Sequence, residues 1–352
     1  VAPWIPSSLA AALAAALLFG APQPAVGAAE APPERSRPQL GETDVPGDWP
    51  PPPLGWREPS PVARLFLQLP FEAPEPIPTG HLQAGLQLLY SNSIMVGRTP
   101  GLTLVTDVET AQTTLLAAAG LGGGLEVSVA LPVVADWGGL LDRPIEAVER
   151  GFGASNPDRL GRPIDRSEWT LLRDDGRGLS RVGAGAGLGD AWIGLKARLL
   201  EGAGAVPSLS ARLALSLPTG RLPWGAGALV PAAGLLAGWR LAPFALRLSA
   251  DVSVPTAPLR AVALPTRPYG SVNVGLTFPL GHALALQAQA SAHSSPLHST
   301  SLAQLDHATA YVLLGLTARI APGAVVDVGI AENVFSPYRG TDVSFLVALR
   351  SQ

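Results

Sequence analysis

The chain has no cysteine and a single methionine, Met95. Without cysteine it builds neither a disulfide frame nor a thiolate metal site. Charge is scarce as well: Asp, Glu, Lys and Arg make up 14% of the 352 residues, well below the roughly 25% of an average soluble domain. The formal net charge of -3 argues for neither a nucleic-acid partner nor an anionic membrane surface. No clean apolar run has the length of a membrane helix. The nearest, Leu222 to Trp239, carries Pro223, Pro231, Gly225, Gly227, Gly234 and Gly238, which a lipid-facing helix tolerates poorly. Aromatics reach only 6%, so the aromatic girdles of a membrane barrel would be thin.

Glycine and proline, by contrast, are abundant, at 39 and 36 residues, and mean hydropathy is +0.28. The apolar stretch Leu9 to Gly20 is too short to span a bilayer, and Val26-Gly27-Ala28 offers small residues for cleavage before Ala29. Residues 1–28 are therefore expected to be a secretory signal peptide, although no basic residue precedes Leu9. A buried N-terminal helix is the rival, and Pro22, Pro24, Pro32 and Pro33 argue against it. Residues 29–61 are Pro-rich, with Pro50 to Pro53 consecutive, and are expected to form an extended periplasmic linker. Residues 62–352 are assigned to the barrel domain that follows.

Beyond that linker, stretches of period-two apolar patterning are divided by two kinds of connection. Five are short: Gly120 to Gly124, Glu201 to Pro207, Leu241 to Pro243, Pro279 to Gly281 and Ala321 to Gly323. Six are long and polar: Ser91 to Gly101, Ala135 to Gly189, Pro218 to Val230, Pro255 to Pro268, Ser294 to His307 and Asn333 to Thr341. Short and long alternate, as the two rims of an outer-membrane barrel require, with tight turns on the periplasmic side and long loops outside. The strands support this. Leu82, Ala84, Leu86, Leu88 and Tyr90 share one face opposite Gln83, Gly85 and Gln87. The same alternation recurs at Leu125 to Leu131, Ala191 to Leu199, Leu209 to Leu217, Phe244 to Val252, Val272 to Phe278, Leu284 to Ala290, Ala324 to Ile330 and Val343 to Leu349.

Three further segments, Thr103 to Ala119, Ala232 to Arg240 and Ala308 to Ile320, have a second face of Ala, Leu and Gly that leaves their register poorly specified. The fold class is all-β: an up-and-down antiparallel transmembrane β-barrel of about 12 strands with one long extracellular loop. The ending LVALRSQ lacks the terminal aromatic that barrel-assembly machinery usually reads. An odd strand number or a partly soluble all-β protein stays open at this point.

DVET (Asp107 to Thr110), GLGGGLEVSVALP (Gly120 to Pro132), GLLDRPIEAVERGFG (Gly139 to Gly153), GLGDAWIGLKARL (Gly187 to Leu199) and LALSLPTG (Leu213 to Gly220) carry a resemblance. In this order and spacing they resemble an uncharacterised group of proteobacterial outer-membrane β-barrels known only as a domain of unknown function. The GLGD and PTG portion is also similar to barrels associated with aromatic-compound degradation and described as transporters. Val148-Glu149 stands where an aromatic-His pair would be expected. The resemblance implies a barrel from about Pro61 to the C-terminus and supplies no established activity.

Candidate pore-lining charges on the polar faces are Glu126, Asp190, Lys196, Arg198, Arg212, Arg247, Asp251 and Asp327. They either line a polar path or pair across a packed interior. The longest loop supplies a candidate constriction in Asp142, Arg143, Glu146, Glu149, Arg150 and Arg159, with Glu146 and Arg150 at the i,i+4 spacing of a helical ion pair. A solvated surface loop is the alternative. Gly187 and Gly189 of GLGD fit a tight strand start, with no helix following to make a phosphate loop.

Asp107 and Glu109 share a strand face and could hold a divalent ion or simply make the lumen polar. His81, His282, His293, His298 and His307 show no metal spacing. His293 beside Ser294 or Ser295 suggests a hydrolase pairing, but sequence neighbours on a strand face opposite ways. No catalytic residue, metal or cofactor is assigned. The functional expectation is an outer-membrane channel or uptake protein for small molecules. Its rivals are a non-conducting structural or adhesion barrel and a lipid-modifying barrel enzyme. Outer-membrane lipid, lipopolysaccharide, the barrel-assembly machinery and a small solute are the expected partners; nucleic acid is not.

Overall fold

The structure is a computed structural model that describes residues 50–151, 158–159, 161–259, 262–333 and 340–351. The expected signal peptide and residues 29–49 of the expected linker lie outside the described residues.

Fifteen strands make one antiparallel sheet. They are β1 (Leu82–Thr99), β2 (Leu102–Gly122), β3 (Leu125–Trp137), β4 (Glu168–Arg173), β5 (Gly178–Val182), β6 (Gly185–Leu188), β7 (Trp192–Leu200), β8 (Ser208–Ser216), β9 (Val230–Leu241), β10 (Phe244–Ser253), β11 (Tyr269–Pro279), β12 (Leu284–His293), β13 (Thr309–Ala321), β14 (Ala324–Asn333) and β15 (Val343–Ser351). Two helices lie in the connections, α1 (Asp142–Gly151) and the single-turn α2 (Ala303–Asp306). β6 and β7 both pair with β3 and act as one interrupted strand. Counting them once, and setting aside the β4–β5 hairpin that pairs with β2, twelve strands form the wall. β15 returns to β1, from Gly85↔Arg350 to Asn92↔Val343, and closes the cylinder.

The alternation read from the sequence sets the two faces. Leu86 opposes Leu115 across β1 and β2, and both are exposed. So are Val127, Ile193, Leu213, Val272, Leu314 and Val347 around the wall. The intervening residues, among them Gln87, Thr114, Lys196, Arg212, Gln287 and Asp327, are buried. An apolar exterior over a polar interior is the arrangement of a wall standing in lipid. All five short turns occur at one end. The three segments with ambiguous second faces are strands β2, β9 and β13. Two loop expectations fail, and the first is Ser91 to Gly101, which is not a loop. β1 and β2 run on as a hairpin turning at Pro100-Gly101, extended by β4 and β5. Ala135 to Gly189 is likewise not one loop, since it holds the end of β3, α1 and β4 to β6.

An eight-stranded cylinder is about filled by its own side chains, whereas sixteen strands leave an aqueous channel. Twelve strands leave an intermediate space, and here residues 50–79 occupy it. The expected solvated linker is thus corrected over residues 50–61, which run inside the barrel, and the wall begins at Leu82. Leu54, Trp56, Leu65, Phe66, Leu67, Leu69 and Phe71 of this plug are all buried.

Glycines in the wall make room for it. A Cβ on Gly275 would lie 2.6 Å from the Phe71 ring, and one on Gly329 would lie 2.9 Å from Leu54 Cδ1. Replacing Gly275 with valine should therefore destabilise the barrel by about 1–3 kcal/mol through overpacking. Phe71→Ala in the same chain should restore part of the loss. Thermal melting of the detergent-solubilised single and double variants measures both.

Candidate functional site

Ten of the thirty residues from 50 to 79 are proline. Proline has a carbonyl but no N–H, so this segment presents many acceptors and few donors. Enclosed in a barrel, its carbonyls must be satisfied from the wall, and the wall supplies donors. On the first limb, Arg247 donates to the carbonyls of Pro51 at 2.9 Å and Pro50 at 3.1 Å. Gln287 donates to Pro52 at 3.1 Å, Gln87 to Gly55 at 3.0 Å, and the Trp56 indole to Ser344 at 2.8 Å. A single 3-10 turn at Ala63–Leu65 reverses the chain near the long-loop end. On the returning limb, Tyr269 donates to Leu67 at 2.6 Å, Arg212 to Pro70 at 2.7 Å and Lys196 to Ala73 at 3.3 Å. The plug then leaves at the short-turn rim, where the Ile77 N–H donates to Glu126 at 2.9 Å.

Charge pairs tie the second limb to four wall strands. Lys196 lies 3.1 Å from Glu126 and 3.4 Å from Glu72, and Arg212 lies 2.7 Å from Glu72 and 2.8 Å from Asp251. Arg212 reaches Asp251 across β9 because position 234 is glycine: a Cβ there would sit 1.9 Å from the Asp251 carboxylate. Glu72, from the plug, bridges the two cations. At the turn, Arg64 forms a two-bond fork with Asp136 at 2.6 and 2.7 Å. Above it, Val62, Leu65 and Phe66 join Met95, Leu104, Trp169, Leu171, Val262, Leu297 and Leu302 in an apolar cluster that closes the long-loop end.

Of the eight candidate pore-lining residues, Glu126, Lys196, Arg212, Arg247 and Asp251 face the lumen and meet the plug or its partners. Asp327 also faces inward, held by Arg350 at 2.7 Å and Thr317 at 2.6 Å. Two lie elsewhere. Asp190 sits in the break between β6 and β7 and accepts the N–H groups of Gly220, Ala226 and Gly227 at 2.8, 2.8 and 3.0 Å. Arg198 is at the short-turn rim, 43% exposed, 3.7 Å from Glu201.

The loop expected to constrict the lumen lies against the outside of the wall. Asn92 and Glu109 pair across β1 and β2 on the face that carries Leu86 and Leu115, yet both are buried. What covers them is this loop. Asp142 accepts from Asn92 at 3.0 Å and pairs with Arg159, which also reaches Asn92 at 2.8 Å and Asp342 at 2.9 Å. Burial works against the Arg159 charge, but the Asp342 and Asp142 carboxylates outweigh it and raise its pKa above the ordinary guanidinium value. Arg162, bonded to Asp107 at 2.5 Å and Glu168 at 2.8 Å, is raised on the same balance.

Asp107 and Glu109 share a face as expected, but Arg162 takes one, while Tyr90 and the Leu141 N–H take the other. On α1, Arg143 is exposed and Glu146 and Glu149 are partly exposed. Arg150 donates to the Glu146 backbone carbonyl at 3.1 Å rather than pairing with its carboxylate. Beside this loop Tyr90 stacks on Trp137, centroids 5.4 Å apart, an outward aromatic pair. Trp56, Trp169 and Trp192 are buried inside, which is why the girdle is thin.

The hydrolase pairing is not formed. His293 lies 2.7 Å from Ser291 Oγ on its own face, while Ser294 bonds Gly270 and Ser295 bonds Leu305. Among the described residues no three His, Asp or Glu side chains are grouped to hold a metal.

Residues 257–352 match a family described as a protein of unknown function (DUF3187). This agrees in kind with the resemblance seen in the sequence, although the matched span lies beyond the motifs between Asp107 and Gly220. No curated protein matches. Among solved structures, the chain is similar to the COG4313 outer membrane channel from Pseudomonas putida F1, at 11% identity and a TM-score of 0.53, covering 79% of this chain and 97% of that one. It is also similar to the NanC porin (7%, TM-score 0.44, 77% and 100% covered) and to the Pseudomonas putida toluene transporter TodX (10%, 0.35, 77% and 89%). The first of these likenesses identifies the fold as that of an outer-membrane β-barrel.

Arg159→Gln strands two buried carboxylates, a loss on the order of 3–5 kcal/mol. The outer loop should detach while the barrel stays closed. Faster protease cleavage between residues 138 and 167, with an unchanged β-sheet circular dichroism signal, is the expected result.

Proposed function

We propose that the protein is an outer-membrane uptake channel for small molecules, shut by residues 50–79 and opened when that segment is displaced. Its short turns face the periplasm and its long loops face outward. The observation that carries this reading is the way the wall is satisfied. Lys196, Arg212, Arg247 and Gln287 bond to a separate length of chain, whose carbonyls and one carboxylate enter from the short-turn rim and leave by it. Beneath the plug runs a wall of hydrogen-bonding side chains; Glu126, Lys196, Arg212 and Asp251 balance one another without Glu72, and Arg247 keeps the Thr277 hydroxyl at 3.1 Å as its wall partner.

The plug and the outer cap form one device. Val62, Leu65 and Phe66 at the tip of the plug are part of the apolar cluster that closes the far end, so withdrawing the plug removes the core of the cap. Nine plug side chains are buried and apolar: Leu54, Trp56, Val62, Leu65, Phe66, Leu67, Leu69, Phe71 and Ile77. At about 1.5–3 kcal/mol each, their burial far exceeds thermal energy. Opening therefore needs a ligand, a partner or a pull from the periplasmic side.

Planar-bilayer recording tests this. The full chain should be silent or open only briefly, and a variant lacking residues 50–77 should conduct steadily. In this cysteine-free protein, Phe71→Cys with Gly275→Cys allows a reducible bismaleimide tether, which should abolish the brief openings until it is cleaved. A plug-less variant that keeps the circular dichroism of a closed barrel yet passes no current would overturn the proposal.

A further inference from the structure

Between the plug's turn and the wall of β3 and β7 lies a cavity whose lining has an excess of hydrogen-bond donors. The plug contributes Arg57, Arg64 and Gln68, and the wall side contributes Gln112, Trp192 and Trp224. Three N–H groups among these residues are sealed from solvent and meet no acceptor among the described residues: Arg64 Nε, Trp192 Nε1 and Trp224 Nε1. Arg57 is partly buried and, among the described residues, has Thr114 Oγ1 at 3.3 Å as its one side-chain partner and pairs with no carboxylate. Leaving buried donors unmet costs about 1–3 kcal/mol each, so three such groups with a cation beside them are a strong demand for an acceptor.

The two acids of the lining do not meet it. Asp190 is taken by three backbone N–H groups of residues 220–227. Glu58 is taken by the hydroxyls of Ser60 at 2.8 Å and Thr309 at 3.0 Å. Its neighbour Arg64 already holds Asp136 through both terminal nitrogens, which leaves the Nε alone facing other company. The remaining lining is Leu65, Phe66, Leu67, Pro132, Val134 and Gly189, with the Ser216 hydroxyl as its one further polar side chain, so neutral groups are the only other acceptors beside these two acids.

The geometry points to a binding site for the carboxylate group of a small organic acid, held by the Arg57 guanidinium and the Trp192 and Trp224 indole N–H groups. A guanidinium presents two parallel N–H bonds that match the two carboxylate oxygens, and the two indoles of the lining add further donors. The free space is about 30 Å³, room for a group of two or three heavy atoms while the plug is seated. Because donors come from both plug and wall, an acid bound here touches the moving and the fixed part together. This names the solute class for the channel reading above, and it rests on that reading only for its purpose.

Acetate is the probe, titrated into the full detergent-solubilised chain and read by intrinsic tryptophan fluorescence, since Trp192 and Trp224 line the space. Acetamide, the same shape without charge, and chloride, the charge without the shape, are the controls. A saturable response to acetate is expected, with at least tenfold weaker responses to both controls. Arg57→Gln should weaken acetate at least tenfold, Arg57→Lys should fall between, and both should keep the wild-type circular dichroism melt. Equal responses to acetate and chloride, or an unchanged acetate titration in Arg57→Gln, would overturn the site. Fluorescence binding and bilayer current are independent readouts: acetate binding by a chain whose plug-less form is silent removes the channel and keeps the site, and current without an acetate response does the reverse.

Discussion

In hydrocarbon there is no water to satisfy a peptide group, so each N–H and C=O of a membrane-spanning sheet must find its partner within the protein. The pairing of β1 with β15 meets that condition, because it removes the two edges an open twelve-stranded sheet would leave in lipid. Closure fixes the circumference, and the circumference fixes the interior. A cylinder of this size is too wide for its own side chains to fill and narrow enough for two limbs of extended chain. The plug is thus tied to the strand number through the volume that closure encloses.

What fills that volume is chosen by hydrogen-bond supply. An ordinary extended segment would bring one donor and one acceptor per residue into a space with no free water to balance them. A proline-rich segment brings chiefly acceptors, and a wall lined with Arg, Lys, Gln, Ser and Tyr brings chiefly donors. The asymmetry lets two non-sheet limbs be buried without a strand partner of their own. Close approach depends on the glycines of β11, β13 and β14, and the Glu72 carboxylate adds a charge that two wall cations share. At the turn the matching is incomplete: Arg57 has the Thr114 hydroxyl and no carboxylate, and the indoles of Trp192 and Trp224 have no acceptor among the described residues.

Much of the wall was legible from alternation alone. Leu125 to Leu131 or Phe244 to Val252 can stand only one way round, since a shift of one residue would turn every apolar side chain inward. The difficult strands were β2, β9 and β13, whose second faces are rich in Ala, Leu and Gly; β9 and β13 show why. The reason is now visible: Gly238 faces Pro74 and Gly315 faces Leu54, so those positions are small to admit the plug, and smallness erases the polar half of the pattern. Residues 50–61 were misread because proline-rich composition excludes regular structure and says nothing about burial. The signal available was Trp56 and the run Leu65 to Phe71, too apolar for a solvated tether and too short of the first wall strand to belong to it. The outer position of Asp142 and Arg159 had no sequence signal, because charges that cover the wall and charges that enter the lumen look alike in one dimension.

The plug precedes every wall strand in the chain, yet its first limb is held by the last ones: Trp56 reaches Ser344, 288 residues away, and Glu58 reaches Thr309. A finished cylinder, capped at its far end, would have to be threaded from the rim by a doubled-back segment bearing a Trp and two Phe rings. Such a passage is sterically forbidding. Biogenesis is therefore expected to fold the hairpin of strands around a leader already in place, with the seam between first and last strand sealing last.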